Sequence, residues 1–75
     1  MSDVLKVVGN NVKNYRESKG LTQAELADEA ELHRNYIATV EKGERNLSIL
    51  SLQKIADALK LDIQRLFDEE IQQEL

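Results

Sequence analysis

The sequence predicts an all-α fold, a compact domain of five helices, and three observations carry that reading. There is no Pro and only three Gly in 75 residues, with 41% hydrophobic residues. Such a chain is too poor in turn formers for a strand-rich fold and too apolar to stay disordered. Apolar residues recur three and four positions apart, the period of a helix face. Finally, Leu21-Thr22, Leu47-Ser48 and Leu61-Asp62 each place a cap-type residue after a Leu, with Leu26, Leu52 and Leu66 four positions past the cap. That is the spacing of an N-cap with its hydrophobic staple. The cap oxygen receives an otherwise unpaired amide, and the flanking apolar pair clamps the first turn.

Helix 1 starts after a Ser2 or Asp3 cap. It carries Leu5, Val8, Val12 and Tyr15 on one face and closes at Lys19-Gly20, a cationic last turn with a Gly stop, so it spans about Asp3 to Lys19. Helix 2, Gln23 to Ala30, has the firmest start, because Glu25 reaches back to the Thr22 N-H and completes a capping box. Helix 3 covers about His33 to Lys42, with Ile37 and Val40 inward and Gly43 as its stop. Helix 4 follows Ser48 with Leu52, Ile55, Ala56 and Leu59. Helix 5 follows Asp62 and runs over about 62–75 with Ile63, Leu66, Phe67, Ile71 and Leu75. No linker, repeat or low-complexity stretch interrupts the series, so residues 1–75 read as one domain, which at this size is marginally stable and open to help from a partner subunit.

Composition closes several function classes. Without Cys and with His33 as the single His, disulfides, thiolate zinc sites and cysteine nucleophiles are excluded. No nucleophile is paired with a base, no glycine loop cradles a phosphate, and the chain is too short for a large pocket, so neither an enzyme nor a cofactor is expected. No apolar run approaches membrane-spanning length, which points to a soluble cytoplasmic protein and no membrane partner. The net charge of -4 and pI near 4.9 argue against nucleic acid. The excess is uneven, however. Residues 1–46 carry seven Lys/Arg against eight Asp/Glu, and residues 47–75 carry three against six.

Only about three residues separate helix 2 from helix 3, which forces a steep crossing and makes Gln23 to Lys42 a helix-turn-helix. Leu26, Ala30, Leu32, Ile37 and Val40 face inward, and small Ala27 sits where helix 3 crosses closely. In the segments LTQAELADEAELHRNYIATVEKGERN and LSILSLQKIADALKLDIQRLF, covering residues 5–67, the chain resembles the Cro and phage-repressor (XRE-like) helix-turn-helix family. Within it the chain is most similar to the small controller proteins of restriction-modification systems, which share its length and a segment like LHRNYI followed by ERN and Ser. One departure is Glu31, where many of these proteins have Gly. A left-handed backbone there is strained, so the turn is expected to differ locally while the register survives.

Helix 3 is then the recognition helix, its N-terminal residues entering the major groove. Its outward positions are Arg34, Asn35, Ala38 and Thr39. Arg34 has the donors for guanine O6 and N7, Asn35 the amide for adenine N6 and N7, and each good contact discriminates by about 1–3 kcal/mol. Thr39 suits a thymine methyl, and Tyr36 either braces a phosphate or packs beside Arg34. The alternative for Arg34 and Asn35 is a solvated first turn, which their place in the motif disfavours. Gln23, Arg45, Asn46 and Ser48 lie at helix starts, where phosphates are held, as the resemblance also implies. For Ser48 pure capping remains an equal reading. Lys13 and Lys42 read as solvated charge, and His33 as a cap of helix 3 or a neighbour of the DNA backbone.

The stripe of helix 5 runs past what a monomer core needs, which assigns part of Ile63, Phe67 and Ile71 to a homodimer interface. A two-fold dimer sets two recognition helices about 34 Å apart, matching half-sites on a palindromic operator in double-stranded DNA. Acidic Asp68, Glu69, Glu70 and Glu74 would then lie away from the DNA. The resemblance implies an autoregulatory transcription factor that activates and represses from one promoter region, in contact with RNA polymerase. The rival is a protein-binding module, of the antitoxin or adaptor kind, built on the same fold.

Overall fold

In the computed structural model the described residues are 3–44 and 47–69. They form four α-helices, α1 (Val4–Ser18), α2 (Gln23–Ala30), α3 (Arg34–Lys42) and α4 (Ile49–Leu59), followed by a 3-10 turn at Ile63–Phe67. The caps of α1, α2 and α4 are those the sequence sets. The Asp3 carboxylate accepts from the Lys6 N-H at 3.3 Å, and the Ser48 hydroxyl accepts from the Ser51 N-H at 3.0 Å. Thr22 Oγ1 accepts from the Glu25 N-H at 3.0 Å while Glu25 Oε1 accepts from the Thr22 N-H at 2.9 Å, so the capping box is reciprocal.

All four helices stop in one way. A residue with positive φ follows the last turn (Gly20, Glu31, Gly43 and Lys60), and the next residue's N-H reaches back to a carbonyl five positions earlier, as Leu61 does to Ala56 at 2.9 Å. This pattern satisfies carbonyls that a helix end leaves without partners. In three of the four junctions a Leu comes next: Leu21, Leu32 and Leu61, all packed on the core. Leu21 and Leu61 therefore end one helix and staple the next.

The core is a single cluster. Val8 and Val12 of α1, Leu26, Ala27 and Ala30 of α2, Ile37 and Val40 of α3, and Leu52, Ile55, Ala56 and Leu59 of α4 are buried together with Leu66 of the 3-10 turn. Burying each large side chain stabilises the fold by about 1.5–3 kcal/mol. Gly9 sits mid-helix because α1 and α3 touch there. A Cβ at Gly9 would collide with the Val40 carbonyl oxygen.

Of the fifth helix expected over 62–75, the described residues form no α-helix. Asp62 occupies the cap position without a side-chain cap bond, and the five residues after it adopt 3-10 geometry. A buried amide on α1 holds this geometry in place. Asn11 Nδ2 donates to both Leu66 O and Asp68 O, each at 2.9 Å. An α-helix would need the Leu66 carbonyl for the amide four residues on, and Asp68 already has extended angles, φ -80 and ψ 114. Ile71 and Leu75 lie outside the described residues. No described helix is long and apolar enough to cross a membrane.

Candidate nucleic-acid interface

The turn between α2 and α3 consists of Glu31, Leu32 and His33. Glu31 holds φ 61 and ψ 43, and the Leu32 N-H donates to Ala27 O at 2.9 Å. The turn therefore does not reshape itself to suit Glu31. Glu31 accepts the left-handed conformation usual for Gly, at a cost of about 1–2 kcal/mol. His33 stands at the N-cap of α3 with no side-chain cap bond, which leaves the start of that helix uncapped by side chains.

Beneath the pair lies a polar network that sequence reading missed. Arg16 at the end of α1 donates from Nε to Glu41 Oε2 at 2.7 Å and from Nη2 to Glu41 Oε1 at 3.1 Å. Its Nη1 donates to Leu21 O at 2.8 Å. The Glu41 side chain, 4% exposed, also accepts from Gln23 Nε2 at 2.9 Å. The hydrogen bonding of Arg16 itself to Glu41 is the main reason its guanidinium is held above its ordinary pKa, outweighing the opposing effect of burial. The group is thus a fixed charge at any working pH. One carboxylate ties the end of α1, the start of α2 and the end of α3 together. A signal existed. Arg16 continues the inward line of Val8 and Val12 four residues on, and Glu41 continues Ile37, so each charge sits on an apolar face and requires a buried partner.

Arg34, Asn35 and Ala38 of α3 line one open cleft of about 660 Å³ together with Gln23 and Ala24 of α2 and with Arg16. Arg34 and Asn35 are exposed, and Ala38 and Gln23 half-buried. Because a carboxylate only accepts, Gln23 must turn its Nε2 towards Glu41, leaving one N-H of that amide and the Oε1 for the cleft. Thr39 is half-buried and donates its hydroxyl to Tyr36 O at 2.9 Å, which turns its methyl into the group available for contact. Tyr36 is half-buried against the core. Ser48 lies at the cap of α4, its hydroxyl also donating to Ser51 Oγ at 3.0 Å. Arg45 and Asn46 lie outside the described residues. Ile63 is half-buried on the core and Phe67 is 40% exposed.

A short α2, a tight left-handed turn and an α3 that presents Arg and Asn beside the start of α2 define a helix-turn-helix DNA-binding regulator, a class without catalytic activity. The chain belongs to the helix-turn-helix family, whose model matches residues 12–66. It is similar to control protein C.SmaI of Serratia marcescens, 38% identical over 64 residues that cover 85% of this chain and 76% of that protein. The crystal structure of the restriction-modification controller protein C.AhdI from Aeromonas hydrophila superposes with a TM-score of 0.82 at 38% identity, covering 84% of this chain and 96% of that one. SinR, a master regulator for biofilm formation solved in complex with DNA, superposes with a TM-score of 0.77 at 32% identity, covering 81% of this chain and 98% of that one.

Proposed function

We propose that the chain is a homodimeric transcription regulator of the controller type, which binds a palindromic operator at its own promoter. The observation that carries this reading is the cleft that joins Arg34, Asn35 and Ala38 on α3 to Gln23 on α2. Exposed Arg34 and Asn35 read bases, with Ala38 and the Thr39 methyl supplying apolar contact to thymine. Gln23 grips a phosphate through its backbone N-H at the start of α2 and its remaining side-chain N-H, with Ser48, Tyr36, Arg45 and Asn46 as further backbone contacts. The dimer forms through Ile63, Phe67 and Ile71 at the C-terminal end of the domain, where Phe67 is exposed. Similarity to C.SmaI and C.AhdI supports the controller reading.

The test is selection of bound duplexes from random DNA, followed by gel-shift of the selected site with Arg34→Ala. The wild type should select a two-fold symmetric sequence. Arg34→Ala should lose about 1–3 kcal/mol of discrimination at one position of each half-site with an unchanged circular dichroism spectrum. Retained discrimination would remove Arg34 from the reading set, and no symmetric sequence in the selection would count against a palindromic operator.

A further inference from the structure

Arg34, Ala38 and Glu41 stand at positions i, i+4 and i+7 of α3 and so share one face of that helix. Arg34 and Ala38 line the cleft, and Glu41 is not among the described residues that do. Its carboxylate, about 10 Å beyond Arg34 along the helix axis, crosses to the start of α2 and accepts from Gln23 Nε2 at 2.9 Å. Both ends of this bond are fixed. Arg16 holds the carboxylate with two donors, at 2.7 and 3.1 Å, and holds the Leu21 carbonyl ahead of α2 with a third, at 2.8 Å. The Thr22–Glu25 capping box sets the backbone of the turn that carries Gln23. A glutamine at a helix start is ordinarily free among its rotamers, whereas this one is held by a bond within the protein.

We propose that Glu41 is a positioning residue for operator recognition: by holding the Gln23 amide it fixes the separation between the phosphate that Gln23 grips and the base that Arg34 reads. This rests on the DNA contacts proposed above for those two residues. Glu41 itself lies behind the cleft, its side chain 4% exposed, and acts through Gln23. A phosphate contact carries no sequence information and sets the register of a protein on the duplex. Tied to the α3 face that bears Arg34, that register becomes a condition on base reading. On the operator, phosphate and base are both met at the one separation that the tie allows, and the Gln23 side chain needs no further ordering. On a random duplex Arg34 and Asn35 lack their bases, the domain settles on the backbone alone, and a fixed separation brings no gain.

Glu41 thus acts on the ratio of operator affinity to random-duplex affinity. A carboxylate that only braced the fold would shift the unfolding midpoint and leave that ratio alone, since both duplexes meet the same folded domain. A phosphate donor with no tie to α3 would likewise weaken both duplexes equally when removed.

The tie can be cut from either end. Gln23→Met removes the donor and leaves the Arg16–Glu41 pair intact. Arg16→Met combined with Glu41→Met removes the acceptor, keeps the net charge, and replaces a buried ion pair by apolar side chains, an exchange that folds commonly tolerate. Affinities of the full chain for the selected operator and for a random duplex, at one salt concentration, are compared for the wild type, both variants and the triple variant. Each cut should lower the operator-to-random ratio by about 3–10-fold, and the triple variant should fall no further than Gln23→Met. A ratio unchanged by the paired replacement, or lowered as much again in the Gln23→Met background, would overturn the role of Glu41 and leave the Gln23 contact standing. Should the paired replacement fail to fold, Gln23→Met decides by position: discrimination should fall at the base pair where Arg34→Ala loses it, and a loss confined to another base pair, or equal weakening of both duplexes, would overturn the proposal. Wild-type affinities for both duplexes in Gln23→Met would take Gln23 off the DNA and overturn the contact and the proposal together.

Discussion

Glu31 bears the clearest strain of any residue in the helix-turn-helix. Its left-handed backbone (φ 61) costs about 1–2 kcal/mol that Gly would not incur, partly offset by the extra freedom Gly gives the unfolded chain. Glu31→Gly should therefore raise stability by about 0.5–1 kcal/mol, seen as a higher urea midpoint with an unchanged slope. A lower midpoint would mean that the Glu31 side chain makes a compensating contact. Lys60, with φ 60, poses the same conflict at the end of α4. Residue chemistry was legible in the sequence at the caps of α1, α2 and α4, where the partners are three residues apart, and not at His33 and Asp62, which make no side-chain cap bond. Thr22 and Glu25 are three apart, and their reciprocal bonds follow from spacing alone. The Arg16–Glu41–Gln23 network was not, since Arg16 and Glu41 are 25 positions apart and only the fold brings them within 2.7 Å. Their misplacement on apolar faces signals burial and leaves the partner unnamed. The start of α2 marks Gln23 as a phosphate contact, and its spacing does not reveal that one N-H of its amide goes to Glu41.

At the scale of elements, α1 to α4 were legible because caps and periodicity are local and agree with each other. The terminal element was not, because the period of Ile63, Leu66 and Phe67 suits a helix while a distant side chain binds the segment's carbonyls. Asn11, fully buried, draws the Leu66 and Asp68 carbonyls onto α1 and so decides the geometry of residues 63–68. Its sequence signal is an amide on the inward face of α1, beside Val8 and Val12. Asn11→Ala removes the donor and leaves two carbonyls short of a partner, so a loss of about 2–3 kcal/mol is expected in denaturant unfolding. The loss should be largest locally. Amide exchange of residues 63–68 should accelerate more than that of α2 and α3, and uniform acceleration would show that Asn11 supports the whole core rather than the terminal turn.

Over the whole molecule the governing quantity is charge. A net charge of -4 opposes DNA, and of the two arginines that line the cleft one, Arg16, is neutralised by Glu41. With that cation committed, the proposed operator complex draws on base contacts, neutral donors at helix starts and a second subunit. Nonspecific affinity should accordingly be weak and the specificity ratio high. The division of labour separates the two arginines proposed to touch DNA. With Arg34 proposed to read a base, its loss should change which sequence is preferred. With Arg45 proposed to meet a phosphate, Arg45→Ala should weaken operator and random duplex alike and flatten the dependence of log affinity on log salt by about 0.9 per subunit, near 1.8 for a dimer. Titrating both duplexes between about 50 and 200 mM salt measures both quantities at once. An unchanged slope would take Arg45 off the phosphate backbone. A halved flattening, near 0.9, would mean that one subunit of the pair grips the DNA through this residue while its partner does not, an asymmetry that a palindromic operator forbids and an imperfect one permits.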